Sequence, residues 1–145
     1  MQNFYIDTCI YLNLWKKEKG VIFGKPLWLI SKEFFELMIN NNYKVYYSGF
    51  ILKELYHKLD EEEFNKKRVF IESTNNFIKI DLTNEEYKQA KLIERKVNFA
   101  ISFFDIIHLI LAKKSNSMLI TRDKELLKIA KRLGAVAKKP EEVIN

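Results

Sequence analysis

The sequence of 145 residues contains few of the residues from which several common sites are built: one cysteine, two histidines, four glycines and two prolines. Cys9 alone cannot form an internal disulfide, which agrees with a reducing compartment, and we interpret it as a small packing residue. One cysteine and two distant histidines, His57 and His108, cannot supply the spaced ligands of a structural zinc site. His108 follows Asp105 by three residues on roughly the same helical face, and packing beside a core helix is its favoured role.

The scarcity of glycine excludes the usual nucleotide-binding loops. No G-x-G-x-x-G pattern follows a strand-like segment, so the dinucleotide fingerprint is absent. The segment 20–25 resembles a phosphate-binding loop, but its glycines are separated by three residues rather than four, and Pro26 stands where a serine or threonine is required. The sequence therefore does not indicate an enzyme that binds nucleotides through such a loop.

Long apolar runs are also missing. No stretch approaches the roughly 20 apolar residues that span a bilayer, and Asp7 interrupts the N-terminal segment before it could act as a signal peptide. We therefore expect a cytoplasmic protein that does not associate with a membrane.

Basic residues outnumber acidic ones, 25 to 19, which gives a net charge of +6 and a pI near 9.3. A basic surface concentrates phosphates and favours a polyanionic partner. A lysine-rich surface that only maintains solubility explains the same composition equally well, so charge alone does not decide between the two.

Strand-like and helical patterns alternate along the chain. We predict strands at 3–6, 45–47, 77–82 and 118–121 with an edge strand at 135–137, and helices at 9–17, 27–39, 50–59, 60–73, 84–97, 105–114 and 123–133. Because strands that alternate with helices imply right-handed crossovers, the pattern predicts an α/β fold. We expect a three-layer α/β/α sandwich with a central, mainly parallel sheet of four to five strands, in one domain over residues 1–145.

Local signals refine the predicted boundaries. Thr8 is predicted to cap the first helix, Pro26 to occupy the first helical position of the second, and 83–86 to form a capping box. We expect an irregular connection at 21–25 and a terminal turn at 140–144.

Four of the acidic residues lie where a strand gives way to a helix or in a helix's opening turns: Asp7, Glu54, Asp105 and Asp123. The carboxyl ends of parallel strands meet at one edge of a sheet, where ligands bind, so we expect these acids to converge. Asp81 also follows a strand-like run, but two residues separate it from the next helix, and we interpret it as a loop or capping residue.

Two of these acids also have an ordinary structural explanation. Ser102 precedes Asp105 by three residues in a capping arrangement, and Asp123 can cap the helix that follows it. Asp7 closes an apolar strand and Glu54 lies between leucines, where an acid is costly unless it is bound or solvated. The four acids together, rather than any one of them, favour a functional site.

A group of carboxylates favours a divalent cation. Two carboxylates about 4 Å apart repel by roughly 4 kcal/mol at an effective dielectric constant of about 20, so they protonate or bind a cation. Oxygen ligands without cysteine or histidine select Mg²⁺ or Mn²⁺ over zinc. With a basic surface and no nucleotide loop, this indicates phosphodiester hydrolysis by a metal-activated water. A phosphatase with an aspartyl nucleophile is less favoured, because Asp7-Thr8-Cys9 lacks a second aspartate two residues on.

The order of these motifs resembles that of the PIN-domain ribonucleases, most of all the small stand-alone VapC-type toxins. Each motif alone is weak, but the ordered set covers nearly the whole chain. Phe103-Phe104 departs from the family, in which small or polar residues are common before the aspartate. The matching segments are Tyr5-Ile6-Asp7-Thr8, Ser48 with Leu52-Lys53-Glu54-Leu55, Phe104-Asp105-Ile106-Ile107-His108-Leu109 with Ala112, Leu119-Ile120-Thr121-Arg122-Asp123-Lys124 and Lys139-Pro140-Glu141-Glu142-Val143-Ile144.

The resemblance implies a metal-dependent endoribonuclease that leaves a 5′-phosphate, is often a homodimer and is often held inactive by a small antitoxin. The family's catalytic and metal-binding quartet corresponds to Asp7, Glu54, Asp105 and Asp123, and Thr121 matches its usual hydroxyl residue. We therefore predict that the protein is the toxin of a toxin–antitoxin pair and that RNA is its substrate.

On this hypothesis, Asp7 and Asp105 bind Mg²⁺ directly. Glu54 completes the ion's water shell or orients it, and Asp123 holds those waters or a second ion. 

Four neighbouring residues have supporting roles in the hypothesis. Thr8 and Thr121 are candidates to orient a carboxylate, although capping is the favoured role for Thr8. Arg122 and Lys124 flank Asp123 and are candidates to contact RNA phosphates, with solvated surface charges as an equal alternative.

Two other functions stay open at this point: a non-catalytic RNA-binding PIN-like module, and a DNA-directed nuclease of the same fold. The intact set of acids argues against the first, and the residues do not exclude the second. A response-regulator-like domain is not indicated, because an acidic pair after the first strand and an acceptor aspartate after the third are missing. The helix from Trp28 to Met38 is a candidate dimer or antitoxin surface, although an apolar stripe at helical spacing is more often core.

Overall fold

The computed structural model describes residues 2–144. Its main strands are β1 (Asn3–Ile6), β4 (Lys44–Tyr47), β5 (Phe77–Lys79), β6 (Ser117–Ile120) and β7 (Ala137–Lys138). They form one sheet in the order β5-β4-β1-β6-β7, and every neighbouring pair is parallel. Two short antiparallel strands, β2 (Val21–Ile22) and β3 (Lys25–Pro26), form a separate hairpin.

Helices flank this sheet and complete the predicted α/β/α sandwich. In chain order they are α1 (Thr8–Trp15), α2 (Leu27–Asn40), α3 (Gly49–Lys58), α4 (Glu61–Ser73), α5 (Asn84–Lys96), α6 (Phe103–Lys114), α7 (Lys124–Arg132) and α8 (Pro140–Ile144). Helix α1 packs on α2, α2 on α8, and α5 on α6. The predicted fold class is confirmed, with five strands in the sheet.

Strand β1 lies in the middle of the sheet, and its sequence explains that position. Phe4, Tyr5 and Ile6 are all buried, as expected for a parallel strand covered by helices on both faces. Helix α6 packs against β1, and every residue from Ile106 to Ala112 is buried. This packing brings the residue after β1 close to the first turn of α6, which carries Asp105.

The first residues of two helices differ from the prediction for a local reason. Asp7, not Thr8, caps α1: its Oδ1 accepts a hydrogen bond of 2.8 Å from the Thr8 backbone N–H, so the predicted capping role of Thr8 is wrong. Helix α6 begins two residues earlier than predicted, because Ser102 Oγ caps it by accepting from the Asp105 N–H at 3.1 Å.

The boundaries of the strands at the two edges of the sheet also differ from the prediction. Strand β5 ends at Lys79 rather than at 82, because its neighbour β4 ends at Tyr47, the partner of Lys79. Strand β7 pairs only with Leu119 and Ile120 and is shifted to 137–138. The terminal segment forms the helix α8 rather than a turn.

The second helix and its approach also differ from the prediction. Pro26 is the N-cap of α2 rather than its first helical residue. The segment 21–25, predicted to be irregular, contains most of the hairpin, whose tip residues Phe23 and Gly24 have φ of 51° and 78°. Positive φ at both central positions is what a tight two-residue hairpin turn needs. The capping box of Thr83 and Glu86 at the start of α5 is confirmed.

Across the described part of the chain, no helix combines the length and apolar character that crossing a membrane requires.

Candidate functional site

An open cleft of about 290 Å³ lies at the carboxyl ends of β1 and β4. Three of the four predicted acids line it: Asp7, which follows β1; Glu54, from the second turn of α3; and Asp105, from the first turn of α6. The rest of its lining is Thr8, Cys9, Leu12, His57 and Lys58.

Asp7 is buried at the base of the cleft, and neighbouring groups fix its orientation. Thr121 Oγ1, at the end of β6, donates a hydrogen bond of 2.7 Å to Asp7 Oδ2. Cys9 Sγ donates to the same oxygen at 3.4 Å. Burial, and next the charge of Asp7, raise the pKa of the Cys9 thiol well above its ordinary value, so the thiol stays protonated. Cys9 thus contacts the acid group rather than only filling space.

Glu54 is half-buried and held by two contacts on one oxygen. Thr8 Oγ1 donates to Glu54 Oε1 at 2.9 Å, and His108 Nε2 lies 2.5 Å from the same atom. Thr8 therefore orients a carboxylate, which was the less favoured of its two predicted roles. His108 lies about one helical turn after Asp105; it is fully buried and contacts Glu54 without lining the cleft itself.

Behind His108 a chain of hydroxyl groups extends into the core. Tyr5 OH lies 2.8 Å from His108 Nδ1 and 2.7 Å from Ser48 Oγ. Burial is the main cause that raises the pKa of Tyr5 well above its ordinary value, so the phenol keeps its proton. No sequence pattern predicted this series of hydrogen bonds. The spacing of His108 from Asp105 signalled only that both lie on the same face of one helix.

Asp105 lies close enough to the other acids for their charges to act on its carboxyl group. Burial raises the pKa of its carboxyl from 3.8 to about 6, and the charge of Asp7 is the next largest cause. Asp123 raises this pKa further, whereas His108 and a hydrogen bond with Ser102 lower it. Asp105 therefore lies within the electrostatic field of two other acids of the predicted quartet.

Asp123 is placed differently from the other three acids. It is exposed, it is not part of the cleft lining, and its Oδ1 caps α7 by accepting from the Glu125 and Leu126 N–H groups. Thr121 links it to the cleft: the Asp123 N–H donates to Thr121 Oγ1 at 3.1 Å, and that hydroxyl donates to Asp7. The structural explanation of Asp123 as an N-cap is thus correct, and its carboxylate still acts on the pKa of Asp105.

The two basic residues predicted to meet phosphate have different surroundings. The Arg122 side chain, only 15% exposed, donates from Nε to Asn13 Oδ1 at 2.9 Å and pairs with Glu141 at 2.8 Å. Lys124 is exposed at the start of α7. The guanidinium of Arg122 is thus engaged inside the protein, and Lys124 is the cation that faces solvent.

The donor atoms fit a divalent cation. One ligand atom each from Asp7, Glu54 and His108 lie within 4.8 Å of one another, a spacing that one ion can bridge. The pKa of Asp105 is raised mainly by burial and further by the charge of Asp7, and a bound cation would favour the charged carboxylate against both effects. The carboxylate oxygens suit Mg²⁺ or Mn²⁺, while both imidazole nitrogens of His108 are engaged, by Glu54 and by Tyr5.

Fold and site together define an α/β protein with an acidic site at the carboxyl edge of a parallel sheet. The chain belongs to the PIN domain family, whose profile matches residues 4–132. No significant match was found among curated protein sequences.

Solved structures share the fold at low sequence identity. The structure of VapBC2 from Rickettsia felis bound to a DNA fragment from their promoter matches with a TM-score of 0.67 and 17% identity, over 95% of this chain and 98% of that one. FitAcB from Neisseria gonorrhoeae gives a TM-score of 0.61 and 14% identity, over 97% and 99%. PAE2754 from Pyrobaculum aerophilum gives 0.54 and 15%, over 99% and 94%.

Proposed function

We propose that this protein is a Mg²⁺-dependent endoribonuclease, for which Mn²⁺ can substitute, and that it hydrolyses RNA phosphodiester bonds. The observation that carries the proposal is the convergence of Asp7, Glu54 and Asp105 on one cleft, with the pKa of Asp105 raised to about 6. PIN domains are generally nucleases, and the intact acid group argues against a module that only binds RNA.

The chain's own residues supply the binding and orientation. Asp7 and Asp105 would hold the ion, Glu54 would complete its shell, and Asp123 would act on the shell or on a second ion. A divalent cation in this place supplies charge neutralisation at the scissile phosphate and activation of the attacking water. Thr121 fixes the Asp7 carboxylate and Thr8 fixes that of Glu54, so neither acid needs to reorganise when the ion binds.

Charge supports a nucleic acid as substrate. The chain carries a net charge of +6, while the cleft itself is acidic and needs a cation before a phosphate can approach. A DNA-directed nuclease of the same fold is the second candidate, because both substrates present the same phosphodiester to the cleft. 

We also propose that the protein is the toxin of a toxin–antitoxin pair, acts in the cytoplasm and forms a homodimer. The resemblance to VapC-type toxins and the fold shared with VapBC2 and FitAcB motivate the first part. An apolar groove of about 280 Å³ on this chain suits a small antitoxin, and its lining is Leu14, Trp15, Phe35, Lys66, Lys67 and Phe70. Phe35 belongs to the helix in which the sequence predicted such a surface.

The test is cleavage of labelled RNA and DNA of the same sequence by the purified protein, with Mg²⁺ or with EDTA. The proposal expects RNA cleavage that requires Mg²⁺ and is lost in Asp105→Asn. Cleavage in EDTA, or equal cleavage by Asp105→Asn, would contradict it, and preferential cleavage of DNA would favour the second candidate. Growth arrest on expression, relieved by a small co-expressed protein, tests the toxin–antitoxin part.

A further inference from the structure

The hairpin between α1 and α2 presents an aromatic ring to solvent among lysines. Phe23, at the tip, is 89% exposed, more than any other large apolar side chain in residues 2–144. The surrounding segment 16–25, which we call the hairpin patch, carries four lysines, and all of them are exposed: Lys16, Lys17, Lys19 and Lys25.

In the described part of the chain, three of the four lysines of the hairpin patch form no ion pair, and the patch keeps a positive charge although Glu18 lies within it. Lys25 pairs with Glu33 at 3.0 Å. For the lysines at 16, 17 and 19, the described part of the chain offers no carboxylate within ion-pair distance. Lys17 Nζ lies 5.8 Å from the centre of the Trp28 ring instead. The patch therefore attracts an anion.

Hydrogen bonds connect Glu18, in the hairpin patch, to the sheet edge that carries the acids. Arg122 directly follows Thr121, whose hydroxyl contacts Asp7. The Arg122 Nε–H donates to Asn13 Oδ1 at 2.9 Å, and the Asn13 amide donates at 3.3 Å to Glu18 in the patch. Two hydrogen bonds thus connect the patch to the residue beside the acidic cleft.

The tip of the hairpin lies near another partner of Arg122. Arg122 pairs with Glu141 at the start of α8, and Glu141 lines a groove of about 220 Å³ together with Ile22 and Phe23. Arg122 thus has partners on the side of the hairpin patch, while the residue before it, Thr121, contacts Asp7.

The backbone at the tip is unfavourable for the residue it carries. Phe23 has φ of 51°, in the left-handed region that bulky side chains rarely adopt, and its exposed ring gains little packing in return. A turn of this kind is normally formed by asparagine, aspartate or glycine. A positive φ does not by itself mark a binding site, because Phe99 has φ of 57°; at Phe23 it occurs together with the more exposed ring and with unpaired lysines.

We propose that the hairpin patch binds single-stranded RNA beside the active cleft, with an unpaired base stacked on Phe23 and phosphates held by Lys16, Lys17 and Lys19. Aromatic stacking combined with basic side chains is the usual chemistry of single-strand binding. A duplex keeps its bases stacked internally and would leave Phe23 without a partner. This inference rests on the proposed ribonuclease function for its choice of ligand, but it concerns binding rather than cleavage.

The test is the affinity for a short, fluorescently labelled single-stranded RNA, measured by anisotropy in EDTA. Phe23→Ala should weaken binding by at least about fivefold, and Phe23→Trp should retain it, because the stacking surface is kept. Phe99→Ala is the matched control: Phe99 is also exposed, at 65%, and has φ of 57°, but it follows α5 outside the patch. Its affinity should equal that of the unchanged protein.

A second arm tests the lysines. Replacing Lys16, Lys17 and Lys19 together by glutamine should flatten the dependence of affinity on salt, because fewer counterions are released on binding. Thermal unfolding of every variant shows whether the fold is retained.

The outcomes separate this inference from the proposed function. Equal affinity in Phe23→Ala and Phe99→Ala, no RNA binding at all, or weaker binding in Phe23→Trp than in Phe23→Ala would overturn it. A protein that cleaves RNA but binds it equally well after Phe23→Ala is a nuclease without this site. A protein that loses RNA affinity with Phe23→Ala but never cleaves has the site without the activity.

Discussion

His108 Nε2 lies 2.5 Å from Glu54 Oε1, although 54 residues separate the two in the sequence. On the other side of the imidazole, Tyr5 OH lies 2.8 Å from Nδ1 and 2.7 Å from Ser48 Oγ. A neutral imidazole donates from one nitrogen and accepts at the other. When Tyr5 donates to Nδ1, the Nε2–H donates to the carboxylate, so the orientation of Glu54 is set from within the core.

His108→Gln should therefore reduce the rate of RNA cleavage and raise the Mg²⁺ concentration that half-saturates this rate. The combined effect should be about 10- to 100-fold, because groups that orient a metal-binding carboxylate have effects of this size. The rate as a function of Mg²⁺ concentration is the measurement. Tyr5→Phe, which keeps the ring and loses only the hydroxyl, should show the same change more weakly. A His108→Gln enzyme with lower stability but an unchanged Mg²⁺ requirement would show that His108 only supports the fold.

Asp105→Asn should abolish Mg²⁺-dependent RNA cleavage, because the amide keeps the shape of the side chain but cannot offer a negative charge to the ion. Cleavage of labelled RNA over time is the measurement. Asp81→Asn is the control, since the sequence interprets Asp81 as a loop or capping residue and it does not line the cleft. If both variants cleave like the unchanged protein, Asp105 is not part of the active site.

The same carboxyl group predicts a dependence of stability on pH. The folded protein raises the pKa of Asp105 from 3.8 to about 6, so it binds this proton more tightly than the unfolded chain does. This contribution to stability is present below pH 4 and is lost as the pH rises through about 6. In EDTA at pH 7.5, Asp105→Asn should therefore be more stable, on the order of 1–2 kcal/mol after allowing for partial exposure of the side chain.

Denaturant unfolding at several pH values checks this expectation. The difference between the two proteins should vanish below about pH 3, where the carboxyl group is neutral in both the folded and the unfolded state. Saturating Mg²⁺ at pH 7.5 should stabilise the unchanged protein more than the variant, because an ion that binds the folded state alone raises its stability. A variant less stable than the unchanged protein in EDTA would contradict the raised pKa.

Thr121→Val should lower cleavage by about 10- to 100-fold. The substitution keeps the shape of the side chain but removes the donor to Asp7 and the acceptor of the Asp123 N–H. Thr121→Ser should restore most of the activity, since it returns the hydroxyl. Thr74→Val, which removes an exposed hydroxyl bonded to the Phe70 carbonyl, is the control and should cleave normally. Failure of serine to rescue would mean that packing, not the hydroxyl, matters.

Arg122→Gln should affect the stability of the protein, whereas Lys124→Gln should affect its affinity for RNA. Arg122 is a largely buried partner of Glu141 and Asn13, so its loss should destabilise the fold by on the order of 2 kcal/mol. Lys124 is exposed, so its loss should leave stability unchanged while weakening RNA affinity and its salt dependence. Thermal unfolding and RNA anisotropy measure both effects. Normal stability of Arg122→Gln would show that Arg122 is free to meet the substrate.

Most of the fold follows from the sequence because its signals are local. The apolar residues of β1, the capping box at Thr83 and the polar breaks between elements each depend on neighbours within a few positions. The predicted boundaries are wrong where the pairing of two strands determines where an element begins or ends. Strand β5 stops at Lys79 because β4 offers no further partner, and the hairpin at Phe23 forms because two short segments meet across a turn.

The candidate site, like the fold, could be predicted only in part from the sequence. The position of an acid after a strand or in the first turns of a helix predicts that Asp7, Glu54 and Asp105 approach one another. Periodicity does not show what touches them. It favoured capping over orientation of a carboxylate as the role of Thr8, whose hydroxyl donates to Glu54. It gave phosphate contact and solvation as equal alternatives for Arg122, whose guanidinium pairs with Glu141.

The amino-acid sequence by itself determined the alternation of strands and helices, and with it the edge of the sheet where the acids collect, because chain direction fixes where each parallel strand ends. Only the tertiary structure decided which side chains meet across that edge. Hydrogen bonds such as those of His108 with Glu54 and of Thr121 with Asp7 join residues 54 and 114 positions apart. Their formation depends on the packing of whole elements, which no local pattern encodes.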